Sequence, residues 1–355
     1  MIDIHYTLFH LLGGLGIFLI GINLMANSLK KLTGSKMKTL IEKLTNSTYK
    51  GILVGIFVTV ILQSSSGTTA LTISLIRSGL MTLPQGVGII MGANIGTTVT
   101  AFLIGLNIKN YALPIMTVGA LLAFFAKRLK VNLVGCTILG FGMLFYGLKL
   151  MGSGLKPLSR LPAFANFMID LSDNPLLGVF AGTALTVLVQ SSSATVGLLE
   201  ELYAQNAIDI TASIPVLFGD NIGTTITSVI AALGGSLAAK RASAFHVLFN
   251  LIGTVIFLTF FIIFKTPIVQ FIVLFEGQFL DGMVEEAASK PHVTIALAHM
   301  FFNIANTFLL VWFVNHIVRL VKIIIPGKGE DKDDDGYGFN NCVIDDYQVI
   351  ELVGS

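Results

Sequence analysis

Two polar phrases, Gln63-Ser64-Ser65-Ser66 and Gln190-Ser191-Ser192-Ser193, interrupt long apolar sequence at a step of 127 residues. Each is followed, at the same distance, by a second phrase: Gly92-Ala93-Asn94-Ile95-Gly96-Thr97-Thr98 and Gly219-Asp220-Asn221-Ile222-Gly223-Thr224-Thr225. Polar motifs repeated in register predict one binding site built from two related halves. The kinship reaches further back, because Gly16, Gly21, Met25 and Leu29 match Gly142, Gly147, Met151 and Leu155 at a step of 126.

The solvent follows from composition. A chain that is 54% hydrophobic and 12% charged, with a mean hydropathy of +0.83, cannot clothe a soluble globule in polar surface. Apolar runs between short charged loops predict membrane spans at about 8–29, 84–106, 111–127, 131–152, 212–233, 242–264 and 292–320, each near the roughly 20 residues that a bilayer requires. The serine-rich regions need another reading. Gly51 to Leu62 is 12 residues and Gly67 to Leu80 is 14, so neither arm crosses a hydrocarbon core of about 30 Å. A re-entrant hairpin with Gln63 to Ser66 at its tip satisfies that limit, and the segment from Pro175 to Asn206 repeats it around Gln190. Irregular backbone at that depth is tolerated where protein or a polar cavity surrounds it.

If each hairpin enters and leaves on one side, three crossings separate the first span from its counterpart at 131–152, and the second half is inverted. Charge supports this topology. Placing Lys30, Lys31, Lys36, Lys38, Lys43 and Lys50 inside puts Lys127, Arg128 and Lys130, then Lys240 and Arg241, then Arg319 and Lys322, inside as well. The other face receives Lys109, Lys149, Lys156, Arg160, Lys265 and Lys290, alongside Asp170, Asp173, Glu200, Glu201, Glu276, Asp281, Glu285 and Glu286. The expected orientation has the amino terminus outside and the carboxyl terminus in the cytoplasm of a plasma-membrane protein. Leu8 to Leu29 reads as a retained first span rather than a leader, and Cys136 and Cys342 give no disulfide framework.

The chemistry of the paired site is neutral. Serine and threonine hydroxyls and the amides of Gln and Asn donate and accept without carrying charge. The helix after each serine run starts at the tip, so its N–H groups and positive dipole end favour an anion. The carbonyl ends of the preceding arms, with Gln63 and Gln190, suit a hard cation such as Na⁺. No Asp or Glu occurs between Lys43 and Ile169, so a cation in the first half is held by neutral oxygens or by the anion itself, and the two ions assist one another. The Gly-x-Asn-Ile-Gly-Thr-Thr phrases fall mid-span, where they predict broken helices in both halves. Their glycines also fit small-xxx-small helix packing, which leaves Asn94, Asn221 and the paired threonines unexplained. No hydroxyl run is joined to a base and orienting carboxylate, and no phosphate-loop lysine follows a glycine-rich turn, so an enzyme is not expected.

Paired Gln-Ser-Ser-Ser motifs, each with Asn-Ile-Gly-Thr-Thr 31 residues on, resemble the type II sodium/phosphate cotransporter family over roughly residues 8 to 320. The resemblance implies an all-α polytopic membrane protein of two inverted repeats, each with a re-entrant hairpin and a broken transmembrane helix. It implies Na⁺-coupled symport of inorganic phosphate by alternating access, with Na⁺ as coupling ion, no further cofactor and no nucleic-acid partner. Carried over position by position, phosphate falls to Ser64, Ser65, Ser66, Ser191, Ser192, Ser193, Asn94 and Asn221. Na⁺ falls to Gln63, Gln190, Thr68, Thr195, Thr97, Thr98, Thr224 and Thr225, although the motif itself does not divide the two sets, and Asp220 joins the Na⁺ candidates as an acid of this chain rather than by the motif. Asp220 departs from the pattern, standing where the first half has Ala93. An intramembrane acid is a functional candidate that could hold Na⁺, bind a proton or pair with a base. His246 and His299 open similar phrases, each with Asn four residues on (Asn250 and Asn303), and are expected to join helices.

The expected organisation is a transporter domain over 1–325, with repeats at about 8–127 and 131–264 and a further span at about 292–320, then an acidic disordered tail over 326–355. Glycine-rich sequence from Gly13 to Gly21 serves either a homodimer or packing within the chain. Two other readings stay open: a Na⁺- or H⁺-coupled carrier of another oxyanion such as sulfate, and a non-transporting membrane receptor or assembly subunit.

Overall fold

The computed structural model describes residues 4–33, 41, 45, 47–106, 108–159, 161–280 and 290–327, and every regular element among them is helical. The first half comprises α1 (Ile4–Thr33), α2 (Thr48–Leu62), α3 (Ser65–Arg77), α4 (Leu83–Gly105) and α5 (Ala112–Phe125). The second comprises α6 (Leu129–Leu158), α7 (Pro162–Asp173), α8 (Pro175–Val189), α9 (Ser192–Ala204), α10 (Ile210–Thr224), α11 (Ile226–Ala232) and α12 (Leu237–Ile263). Then come α13 (Lys265–Leu280), α14 (Lys290–Leu310) and α15 (Val314–Ile324). Both ends of α2, α3 and α4 recur 127 residues later in α8, α9 and the α10–α11 pair.

Among the described residues, six helices are long and apolar enough to cross a membrane: His5–Thr33, Leu83–Gly105, Leu129–Leu158, Ile210–Ala232, Leu237–Ile263 and Pro291–Ile324. The chain is a multi-pass membrane protein. The expected span at 111–127 is a shorter apolar helical segment, Lys109–Phe125, which runs antiparallel along α6, Gly119 meeting Leu139 and Gly135 meeting Ala123. It stops at extended Ala126, where the chain reverses through Lys127 and Arg128 into α6. Two short helices were not anticipated. α7 meets α8 at a bend of 115°, and α13 follows α12 directly. Lys36, Lys38, Lys43, Arg160, Asp281, Glu285, Glu286 and the tail from 328 lie outside the described residues.

Glycines set the closest helix contacts. A Cβ on Gly14 would meet Gly147 O at 2.8 Å and one on Gly21 would meet Gly140 O at 2.7 Å, while Gly140 and Gly147 return the contact on Gly21 O and Gly14 O. α1 and α6 therefore run antiparallel, and because Gly14 and Gly21 correspond to Gly140 and Gly147, the contact is reciprocal like that of a two-fold pair. Gly14 and Gly21 are thus used within the chain, whereas Gly13 and Gly16 face open space. In the hairpin layer the packing is parallel. Gly88 and Gly92 of α4 press on Thr48 O and Ile52 O of α2, and Gly219 and Gly223 of α10 press on Val179 O and Thr183 O of α8.

The broken helix expected in each half is absent from the first, since α4 is one continuous helix of 23 residues. In the second, the backbone only tightens at Thr225, whose N–H bonds Ile222 O at 3.0 Å and whose carbonyl accepts from Ser228 and Val229. The reason lies in the motif side chains, which bond back onto their own helices. Asn94 Nδ2 donates to Ile90 O at 3.0 Å and Thr97 Oγ1 to Ala93 O at 3.0 Å; Asn221 and Thr224 do the same to Leu217 O and Asp220 O at 2.9 Å. Satisfied in this way, they leave the helical ladder intact, and the glycines serve packing.

Caps fix where the spans begin. Thr82 and Gln85 form a reciprocal capping box at α4, and Asp209 caps α10 by accepting the Ala212 N–H at 2.7 Å. Burial pushes the Asp209 pKa up, but hydrogen bonds from Thr211, Ala212 and Ser172, with the Lys265 charge, outweigh it and hold the carboxyl below the usual range. A depressed folded-state pKa contributes stability above the ordinary aspartate value of about 3.9 and loses it as pH falls through the folded value. Asp209→Asn should therefore unfold at a lower temperature than the parent near neutral pH, with the two melting curves converging in acid. Gly219→Ala, whose Cβ meets the Val179 carbonyl, should cost about 1–3 kcal/mol, whereas Gly16→Ala should stay within roughly 0.5 kcal/mol; denaturant titration in detergent compares them.

Candidate functional site

Each hairpin tip is made by one left-handed residue. α2 gives way to Gln63 at φ 51° and α8 to Gln190 at φ 54°. The next residue is extended and caps the second arm: Ser64 Oγ accepts the Gly67 N–H at 3.0 Å, and Ser191 Oγ accepts the Ala194 N–H at 3.3 Å. Glycine or asparagine adopts positive φ at least cost, and a longer side chain pays on the order of 1 kcal/mol. Glutamine stands there twice, so its amide rather than the turn explains its presence. Below each tip a threonine pair ties the arms together, Thr59 to Thr68 at 2.9 Å and Thr186 to Thr195 at 2.8 Å.

The two tips meet in one cavity of about 390 Å³. Gln63 to Ser66 line it from the first half and Gln190 to Ser193 from the second, with Thr97 and Thr100 of α4, Asn23 of α1, and an apolar wall of Leu19, Ile22, Ala26 and Val189. Every lining side chain is uncharged. Thr100 Oγ1 donates to Gln63 Oε1 at 3.1 Å, and Thr227 of α11 donates to Ser66 Oγ at 3.1 Å, tying the second half to the first hairpin. Four helix ends thus face one space: the first turns of α3 and α9 and the last turns of α2 and α8. Each amino-terminal end carries roughly half a positive charge, so the cavity attracts anions without a cationic side chain.

Nine of the residues singled out from sequence line the cavity: the two tetrads and Thr97. Asn94, Asn221, Thr98, Thr224 and Thr225 lie buried along α4, α10 and the bend after α10, bonded to nearby backbone, and Thr68 and Thr195 close the hairpins. Asp220 is fully buried behind the second hairpin, accepting from Thr186 Oγ1 at 2.7 Å, with His299 Nε2 4.0 Å from its other oxygen. His246 Nδ1 lies 3.0 Å from Ser228 Oγ, joining α12 to α11. Sequence reading missed Asn23 and Thr100. Both left a trace: Asn23 is the one amide between Leu11 and Ala26, and Thr100 stands one turn beyond Thr97 on the same face.

At the end of α9, Glu201 pairs with Lys109, and His292 Nε2 lies 3.5 Å from the same carboxylate. Gln205 donates to Glu201 at 2.8 Å and to Gly152 O at 2.9 Å. This largely buried cluster joins the second hairpin to the segment after α4, to α14 and to α6.

The Na⁺/Pi-cotransporter family model matches the chain twice, over 17–153 and 146–280, and each match contains one hairpin tetrad and one Asn-Ile-Gly-Thr-Thr phrase. The chain belongs to this family. It is a family of transporters rather than enzymes. Among relatives, "Uncharacterized protein YqeW" of Bacillus subtilis is 29% identical over 311 residues, covering 88% of this chain and 96% of the relative. "Putative inorganic phosphate export protein YjbB" of Escherichia coli K12 is 23% identical over 324 residues, covering 91% of this chain and 57% of the relative. Human "Sodium-dependent phosphate transport protein 2B" is 34% identical over 154 residues, covering 40% of this chain and 21% of the relative. The chain thus spans little more than half the length of YjbB. No solved structure matches it.

The left-handed glutamines separate folding from binding. Gln190→Gly relieves the backbone while removing the amide, so stability should hold or rise by about 1 kcal/mol while ligand binding in the cavity weakens; a melting curve and a binding titration on the same sample test this. Lys109→Ala strands a buried carboxylate and should cost about 3–5 kcal/mol, read from denaturant midpoints.

Proposed function

We propose that the protein is a secondary active transporter that couples movement of inorganic phosphate to Na⁺ by alternating access. The observation that carries this reading is the meeting of both hairpin tips in one uncharged cavity. Phosphate oxygens match the first-turn N–H groups and hydroxyls of Ser64 to Ser66 and Ser191 to Ser193, where two helix dipoles together offset about one negative charge. The remaining charge calls for a cation, and the carbonyl ends of α2 and α8, with Gln63, Gln190 and Thr97, offer neutral oxygens for Na⁺ beside it. Each ion lowers the electrostatic cost of the other in a low-dielectric setting, which is the physical basis of coupling. Asn94, Asn221, Thr68, Thr195, Thr98, Thr224 and Thr225 then act as supports of the hairpins and spans rather than as ligands.

The antiparallel, reciprocal packing of α1 on α6 supports an inverted arrangement of the two repeats, the symmetry by which such carriers exchange outward-facing and inward-facing states. Basic residues fit the orientation with the amino terminus outside: Lys30 and Lys31 at the end of α1 fall beside Arg128 and Lys130 at the start of α6, and Arg241 reaches Ile325 O at 3.2 Å. In symport an inward Na⁺ gradient carries phosphate inward, whereas the YjbB relative is named for export, so flux is measured in both directions.

Purified protein in liposomes, loaded with labelled phosphate or supplied with it outside, tests the coupling when Na⁺ is replaced by K⁺ at fixed pH. Flux should need Na⁺, run against a phosphate gradient, and fall at least about tenfold (1.4 kcal/mol) in Gln63→Ala and in Gln190→Ala. Equal flux with K⁺ overturns the coupling, inhibition by sulfate in place of arsenate overturns the substrate, and binding without flux points to a receptor.

A further inference from the structure

The two halves act as a controlled comparison at one position. Asp220 stands in the second half where Ala93 stands in the first, on frameworks that otherwise agree. Gly219 presses on Val179 O as Gly92 presses on Ile52 O, and the Thr186–Thr195 bond repeats the Thr59–Thr68 bond. Since α4 forms with a methyl group at this place, the helix packing does not call for an acid. The carboxyl is nevertheless fully buried, its Oδ2 has no hydrogen-bond partner, and the nearby His299 ring has an unpartnered Nδ1. An unpaired charge in such a place is costly. Na⁺ needs several oxygens, whereas among the described residues the polar neighbours of the carboxyl are one hydroxyl, that of Thr186, and the imidazole of His299. A single proton neutralises the pair, whether it sits on the carboxyl or on the imidazole 4.0 Å away.

Other ionisable groups on the helices around α10 have different surroundings. On α12, His246 faces Ser228, and Arg241, with Lys240 beside it, reaches Ile325 near the helix start. On α9, Glu201 binds Lys109 and His292 of α14, with Glu200 and Tyr203 beside it. On α13, Lys265 donates to Ser172 O next to Asp173 of α7, and Glu276 accepts from Thr294; Asp170 lies one turn earlier on α7. Among the described residues, His299 is the charged or titratable group placed within 4.0 Å of the Asp220 carboxyl.

The proton has a route of influence to the cavity. Thr186 Oγ1 lies 2.7 Å from Asp220 Oδ1 and 2.8 Å from Thr195 Oγ1, and Thr195 Oγ1 lies 3.4 Å from Ser191 O at the hairpin tip. An ionised carboxylate only accepts, so Thr186 donates to it and takes the Thr195 proton, leaving Ser191 O without that donor. A protonated carboxyl can donate to Thr186, which then donates to Thr195, whose proton turns to Ser191 O. The protonation state of Asp220 thus sets the direction of a hydroxyl chain ending at the tip that lines the cavity.

We infer that Asp220 and His299 form a proton site linked through Thr186 and Thr195 to the second hairpin tip, so that protonation and ligand binding in the cavity depend on one another; the linkage rests on the phosphate reading above. The full chain in detergent provides two readouts. Infrared difference spectra between acid and alkaline buffer should show a protonated-carboxyl band in the parent that is missing from Asp220→Asn. Phosphate affinity measured across the same pH range should change at least about fivefold more in the parent than in Asp220→Asn, a comparison in which phosphate's own titration cancels. Thr186→Val should keep the band and lose the extra pH dependence. If Asp220→Asn does not fold, Asp220→Ala reproduces the Ala93 arrangement and takes its place. A band that survives removal of Asp220 overturns the proton site, and an equal pH dependence in parent and variant overturns the linkage. If phosphate fails to bind at all, the transport reading falls with the linkage, while the infrared band still decides the proton site.

Discussion

Backbone polar groups at membrane depth have no water to turn to, and this constraint organises the molecule. The arms of the two hairpins are too short to cross a bilayer, and each tip leaves N–H groups and carbonyls without helical partners. A lipid-facing tip would be prohibitive. Placing the tips against each other, walled by α1 and α4, converts a liability into a polar cavity whose donors and acceptors await a ligand.

Holding the tips there falls to the glycines. Parallel packing of α2 on α4 and of α8 on α10 brings backbones into contact at Gly92 and Gly219, so each half-length arm is clamped to a full-length span in fixed register. The threonine pairs below each tip then fix the arms to one another. The Asn and Thr side chains of the α4 and α10 phrases bond to carbonyls of their own helices, which keeps the spans intact. The polar centre is therefore a property of helix ends rather than of unwound spans.

The hairpins were legible because length is a hard limit: 12 to 14 apolar residues cannot cross a bilayer, and the repeated tetrad marked both tips, although the arms run over Thr48–Leu62 and Ser65–Arg77 rather than from Gly51 and to Leu80. Family membership was legible from the same tetrads. The broken helix was misread in the first half because Gly and Asn weaken isolated helices, a weak preference overruled there by close packing and by Asn94 bonding to the preceding turn, while the second half is interrupted at Thr225 within its phrase. α7 and α13 are short elements lying beside longer apolar ones, and periodicity alone does not separate them. Asn23 went unremarked because a lone amide in an apolar span has no motif to announce it, and only the fold brings it to the tetrads.

Internal repetition offers a way to sort residues by role that one copy alone would not permit. What both halves share, the left-handed glutamines, the serine caps, the threonine pairs and the glycine contacts, is what builds a hairpin tip and holds it. What they do not share must act through something other than the common framework. Thr100 braces its own hairpin while its equivalent Thr227 reaches across to Ser66 of the other. Asn23 lines the cavity while the matching Lys149 is exposed. Ala93 faces packing while Asp220 buries an acid beside His299. A perfectly symmetric site would treat its two halves alike and give no reason for one ion to prefer either. The departures all break that equivalence around one cavity, and Asp220 gives the second hairpin an ionisable neighbour where the first has Ala93.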